Sequence, residues 1–143
     1  MGVFESYIVK RFGIYVGNDH FFDEKKNKVY VCSSSINEVS YSRVQRRGML
    51  AGKLNSLYGT KPSLDFVLAF GHLATKNYVV LEERLINELY CGANVVIPSY
   101  AKCEDGLVIV KGSDGMGKAV CLNKRGILYS LVQKDRKLDG YKL

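Results

Sequence analysis

Histidine and proline are scarce in this chain, with two of each in 143 residues, and its four cysteines are scattered. Each scarcity narrows what the protein can be. His20 and His72 sit in no recognised nucleophile or metal motif, so imidazole chemistry has little to build on. Cys32, Cys91, Cys103 and Cys121 form no CxxC pair and have no histidine at ligand spacing, which argues against a zinc site. Their neighbours are apolar (Val31-Cys32, Val120-Cys121), as expected of buried free thiols in a reducing compartment. No tract is poor enough in composition to read as a long disordered linker. No apolar run approaches the roughly 20 residues of a membrane span. Lys10 and Arg11 interrupt the first apolar stretch, against a secretory leader. Met1-Gly2-Val3-Phe4-Glu5-Ser6 matches the loose myristoylation pattern, but Val3 and Phe4 fit a helix face equally well.

Negative charge is also in deficit. There are 14 acidic against 21 basic residues, a formal net of +7, which favours an anionic partner. From residue 118 to 143, Lys118, Lys124, Arg125, Lys134, Arg136, Lys137 and Lys142 face only Asp135 and Asp139. Five of the seven net charges therefore lie there. Arg43, Arg46 and Arg47 form a second cluster. A solvated face would carry the same residues, so charge alone does not choose between RNA, DNA and an acidic membrane surface.

Apolar periodicity predicts the elements. Val3 to Val16 reads as an amphipathic helix with Phe4, Ile8, Phe12 and Tyr15 on one face, stopped by Gly17-Asn18-Asp19. Lys28 to Cys32 is a strand. Ser35-Ile36-Asn37-Glu38 is a capping box before a short helix to about Arg43. Gly48 to Leu54 reads as a strand, Tyr58 to Lys61 as a loop, and Pro62 opens a helix through about Leu73. Beyond Thr75-Lys76-Asn77 come a strand at Tyr78 to Leu81 and a short helix at Glu82 to Leu89. Further strands follow at Asn94 to Ile97, Leu107 to Val110, Lys118 to Leu122 and Ile127 to Val132. This spacing suggests a small barrel or sandwich after a boundary at residues 74–76.

Gly112-Ser113-Asp114-Gly115-Met116-Gly117-Lys118-Ala119 comes within one residue of the phosphate-cradling pattern GxxxxGK[ST]. Ala119 lacks the hydroxyl that would hold magnesium, and the residues after it favour a strand over the required helix. A glycine turn between two strands is the expected form, with a small nucleotide-binding enzyme as the alternative. Glu82 and Glu83 open a helix, where carboxylates favour the dipole without doing chemistry. No enzyme site, cofactor site or metal site emerges.

Glu88 to Tyr100, in which Tyr90 and Gly92 precede the apolar Val95-Val96-Ile97 and then Pro98, resembles the opening signature of the PUA domain. Gly106 to Val110 matches that family's next strand, and Gly115-Met116-Gly117-Lys118-Ala119-Val120 its G-x-G turn and small-residue strand. The first half adds to this. Val3 to Ile8 with Tyr15-Val16-Gly17, the strand at Lys28 to Val31, the helix at Ser35 to Val39, Gly48 to Leu54 and Leu64 to Leu73 resemble the Nip-seven family of large-subunit ribosome assembly factors. The resemblance implies an α+β chain with an N-terminal α/β domain (residues 1–75) and a small β-barrel-like PUA domain (residues 76–143). It implies a non-catalytic, monomeric factor without a cofactor that acts in pre-ribosomal RNA processing. Its partners would be pre-ribosomal RNA, the pre-ribosomal particle, other assembly factors and the exosome, with no membrane. Its place would be the nucleus and nucleolus in a eukaryote, or the cytoplasm in an archaeon.

The family's basic cluster after the G-x-G strand corresponds here to Lys124 and Arg125. With Lys118 these are expected to grip RNA phosphates, and Lys134, Arg136 and Lys137, assigned by charge, extend the patch. Tyr100 and Tyr129 are candidates for base stacking, with a core or barrel-edge place as the plainer reading. The alternative from another class is a protein-interaction adaptor that docks through Phe4, Tyr7, Phe12 and Tyr15.

Overall fold

Phe4, Ile8 and Phe12 are fully buried along one face of helix α1 (Val3–Phe12) in the computed structural model, which describes residues 2–33, 48–56, 59–98 and 101–131. The helix stops short of Val16. Gly13, at φ 68°, takes the left-handed conformation that closes a helix, its N–H donating to the Val9 carbonyl and that of Ile14 to the Ile8 carbonyl. Tyr15, expected on the helical face, lies beyond this cap and is 67% exposed.

An antiparallel meander follows, pairing β1 (His20–Lys25), β2 (Lys28–Ser33), β3 (Met49–Ser56) and β4 (Gly59–Pro62) in that order. The segment expected as a loop, Tyr58 to Lys61, instead supplies most of β4. Pro62 does not open the next helix but ends this edge strand, where a missing N–H is tolerated. Ser63 is the cap: its Oγ accepts the Phe66 N–H at 3.0 Å. Helix α2 (Leu64–Phe70) runs into a single 3-10 turn, Gly71–Leu73. The expected helix from Ser35 to Arg43 lies outside the described residues.

One of the two sheets is a curled half-barrel, and the second sheet has five strands. It is built from β5 (Tyr78–Val80), β6 (Val95–Val96), β7 (Gly106–Lys111), β8 (Gly117–Lys124) and β9 (Ile127–Ser130), with helix α3 (Glu83–Tyr90) between β5 and β6. The strand order is β5-β7-β8-β9-β6, and only the β5–β7 pairing is parallel. Side chains alternate between the two faces of a strand, and here both faces are buried. Leu107, Ile109 and Val120 join Phe4, Ile8, Phe66 and Val67 in one core. Val108, Val110, Ala119, Cys121 and Leu128 join Ile86 and Leu89 of α3 in the other. The fold is thus mixed α+β, and the first core draws on residues either side of positions 74–76.

Two contacts fix α2 against the second sheet. Gly117 lies so close to α2 that a Cβ there would sit 2.9 Å from the Gly71 Cα and far inside contact distance of the Val67 carbonyl oxygen. Lys111, only 8% exposed, donates from Nζ to the carbonyls of His72 (3.2 Å) and Ala74 (2.8 Å) and lies 3.9 Å from the centre of the Tyr78 ring. Burial pushes its ammonium below the ordinary lysine range.

Gly117→Ala is expected to lower the free energy of unfolding by about 1–3 kcal/mol, since backbone cannot rotate aside as a side chain can. Ser113→Ala, at an exposed position of the same turn, is expected to change it little. Urea titrations of the two variants check this.

Candidate nucleic-acid interface

Lys124 and Arg125 stand at the β8–β9 hairpin, where Lys124 pairs with Ile127 across a two-residue turn. Arg125 (φ 54°) and Gly126 (φ 87°) both have the positive φ that a type I′ turn demands. Asparagine or glycine is the usual first residue of such a turn; an arginine there carries a steric cost. The turn is held from three directions. The Arg125 N–H donates to Asp105 Oδ1 (3.0 Å), the Gly126 N–H donates to Asn123 Oδ1 (3.0 Å), and the Gly126 carbonyl accepts from Ile97 (2.7 Å).

Asn123 is 2% exposed and its Nδ2 donates to the Glu104 carbonyl at 3.1 Å, joining the hairpin to the segment before β7. That segment is gripped on its other side by Arg11. The guanidinium donates to the carbonyls of Leu107 (3.0 Å), Glu104 (3.0 Å) and Asp105 (3.2 Å) and pairs with the Glu104 carboxylate at 3.2 Å. Asn77, also buried, donates to the Arg11 carbonyl (2.9 Å) and accepts from the Glu104 N–H (2.9 Å). The hairpin therefore projects from a pinned base. Arg11, Asn77 and Asn123 were not among the expected functional residues; buried asparagines with full hydrogen bonding are visible only in the fold.

Asp105, Gly106, Leu122, Lys124, Arg125 and Tyr129 line an open groove along this hairpin. Lys124 and Arg125 are exposed, and the Lys124 ammonium lies 5.9 Å from the centre of the half-buried Tyr129 ring. Two cations, an aromatic face and one carboxylate thus share a surface.

Lys118 does not join them. It lies at the other end of β8, about 20 Å away at roughly 3.3 Å per residue. The pairings Val110↔Ala119 and Lys111↔Gly117 leave it as the extra residue of a bulge, and its Nζ contacts the Asp114 carboxylate at 3.3 Å. The Met116 N–H, and after it Lys118, hold that carboxyl below its usual range. The near-match to a phosphate loop is a hairpin turn, with Gly112 and Met116 bonded across it and a strand, not a helix, behind it. Lys134, Arg136, Lys137, Tyr100 and the cluster Arg43, Arg46 and Arg47 lie outside the described residues.

Of the residues offered for protein docking, Phe4 and Phe12 are wholly inside the core and present no surface. Cys32 and Cys121 are buried free thiols, and burial pushes the Cys121 thiol up to about 12; Cys91 is exposed, against expectation. Among the described residues, no helix is long and apolar enough to cross a membrane, and no cluster of His, Cys, Asp and Glu is placed to hold a metal ion. Comparison with models of known protein families finds no match to this chain, and a search of curated proteins finds none at a significant level.

Arg125→Asn is expected to preserve the turn and to raise the free energy of unfolding by roughly 0.5–1 kcal/mol, because asparagine tolerates the left-handed conformation better. Thermal unfolding of the two proteins checks this.

Proposed function

We propose that this protein is a non-catalytic RNA-binding factor of large-subunit ribosome assembly, with residues 76–143 as a PUA-type module and residues 1–75 as its α/β support. The observation that carries the reading is Arg125. A charged residue is kept where the backbone favours asparagine or glycine, at the tip of a braced turn and beside Lys124. Strain kept at an exposed cationic tip is a pointer to function rather than to stability.

Other features support the same reading. The hydrophobic strand β7, the turn containing Gly115 and Gly117, and the small-residue strand β8 follow one another as a PUA-type module requires. The excess of positive charge suits a phosphate backbone. On this reading Lys124 and Arg125 take phosphates, Tyr129 offers a ring to a base, and pre-ribosomal RNA is the partner. Lys118, locked to Asp114 at the far end of β8, belongs to the turn and not to this grip.

Lys124→Ala with Arg125→Ala is expected to weaken RNA binding and to reduce the log–log salt slope by about 1.4–1.8, for two lost phosphate contacts. Fluorescence titration of a labelled RNA across a salt series measures both, and an unchanged affinity and slope would reject the assignment. Asp105→Asn keeps an oxygen to accept from Arg125 while removing the groove's negative charge. It is expected to tighten binding in the same assay.

A further inference from the structure

Four lysines far apart in the sequence fall into a single row across the N-terminal sheet. Lys25 of β1 pairs with Lys28 of β2, Lys28 with Lys53 of β3, and Lys53 with Lys61 of β4. Residues directly opposite in antiparallel strands point to the same side. The adjacent row, Glu24, Val29, Gly52 and Pro62, faces α1 and the core, since Val29 is fully buried and Gly52 touches the Phe4 ring. The lysines therefore line the opposite, outward face, spaced about 4.8 Å apart over roughly 15 Å. Lys25, Lys28 and Lys53 are exposed and Lys61 is half-buried.

Such a row works against folding. Like charges directly opposite one another are destabilising, and here three such pairs follow in succession. Burial, and after it the Lys53 ammonium, hold Lys61 below the ordinary lysine range. Arg11, Arg84 and Lys118 are each paired with a carboxylate, whereas among the described residues none of the four row lysines is in an ion pair. Guarding a sheet edge accounts for Lys25 and Lys61 on the outer strands but not for Lys28 and Lys53 on the central ones. Keeping the face solvated would be served as well by alternating charges, which attract. Asp23, opposite Tyr30, is the one carboxylate that the described strands place on this face.

We propose that Lys25, Lys28, Lys53 and Lys61 form a second RNA-backbone site, on the outer face of the N-terminal sheet and separate from the β8–β9 hairpin. A ribose-phosphate chain sets out negative charges in single file, as the row sets out positive ones, whereas a lipid surface presents a field in two dimensions. Tyr30, half-buried, shares the face and offers a ring to an unpaired base. The choice of RNA among polyanions rests on the function proposed above; the row does not.

The test uses the full chain with Lys28→Gln and Lys53→Gln together, titrated against a short fluorescein-labelled oligouridylate through a potassium chloride series. The double variant is expected to bind more weakly, with a salt slope lower by about 1.4, two contacts at roughly 0.7 each. Its thermal midpoint is expected to hold or rise. Lys28→Arg with Lys53→Arg, which keeps the charge, is expected to retain wild-type affinity, so a folding defect would be told apart from lost contacts. Run beside the Lys124→Ala, Arg125→Ala protein, the assay separates the sites: loss in that protein alone overturns the row and leaves the hairpin. Loss in the lysine variant alone does the reverse. Wild-type binding to the lysine variant would overturn the proposal, as would a defect confined to phosphatidylserine vesicles or polyglutamate.

Discussion

The absence of two side chains decides how the halves of this molecule meet. At Gly71 and Gly117 the turn after α2 and the start of β8 approach backbone to backbone, and the Val67 carbonyl occupies the space that a Cβ would need. Helix α2 can therefore lie flat on β8 while its other side packs on β3, and one core serves both sheets. With β7 and β8 covered from both sides, their side chains have no freedom to slip by a residue. Such a slip would exchange Val108 and Val110 with Leu107 and Ile109 between two different interiors.

That rigidity reaches the candidate site by way of polar groups. From Arg11 the bonds run through Asn77 and Glu104 to Asn123, and from there to the turn that carries Arg125. Among the described residues no buried side-chain nitrogen or oxygen lacks a partner. A complete network of this kind orders a loop without burying an unpaired charge. The cations at the hairpin consequently meet a ligand with their backbone already ordered, which lowers the entropy lost on binding.

How much of this could be read in advance depended on where the information sat. Leu107 to Val110 is a run of β-forming residues and is legible as a strand; so is the mixed α+β class. Strand β1 was hidden because Asp23, Glu24 and Lys25 mask a ladder in which Phe22 packs on the core. Strand β4 was hidden because a glycine and a proline at its ends look like a loop. Gly13 is masked as a stop because Tyr15 prolongs the helical spacing beyond it. Lys118 is near Lys124 in the sequence, and an extended strand turns that nearness into distance. The lysine row could not be seen at all: its register rests on three strand pairings and on a bulge between Val29 and Tyr30.

The parallel pairing of β5 with β7 has a consequence for how the chain is made. Neighbours in the first sheet follow one another along the chain, but β5 must wait for β7, which lies beyond α3 and β6. The apolar face of Phe66 and Val67 must likewise wait for Ile109 and Val120. A nascent chain that has emerged only as far as α3 lacks that part of the core. Synthesis thus passes through an interval in which the core of the first sheet is incomplete, and it ends only when the β7–β8 hairpin arrives.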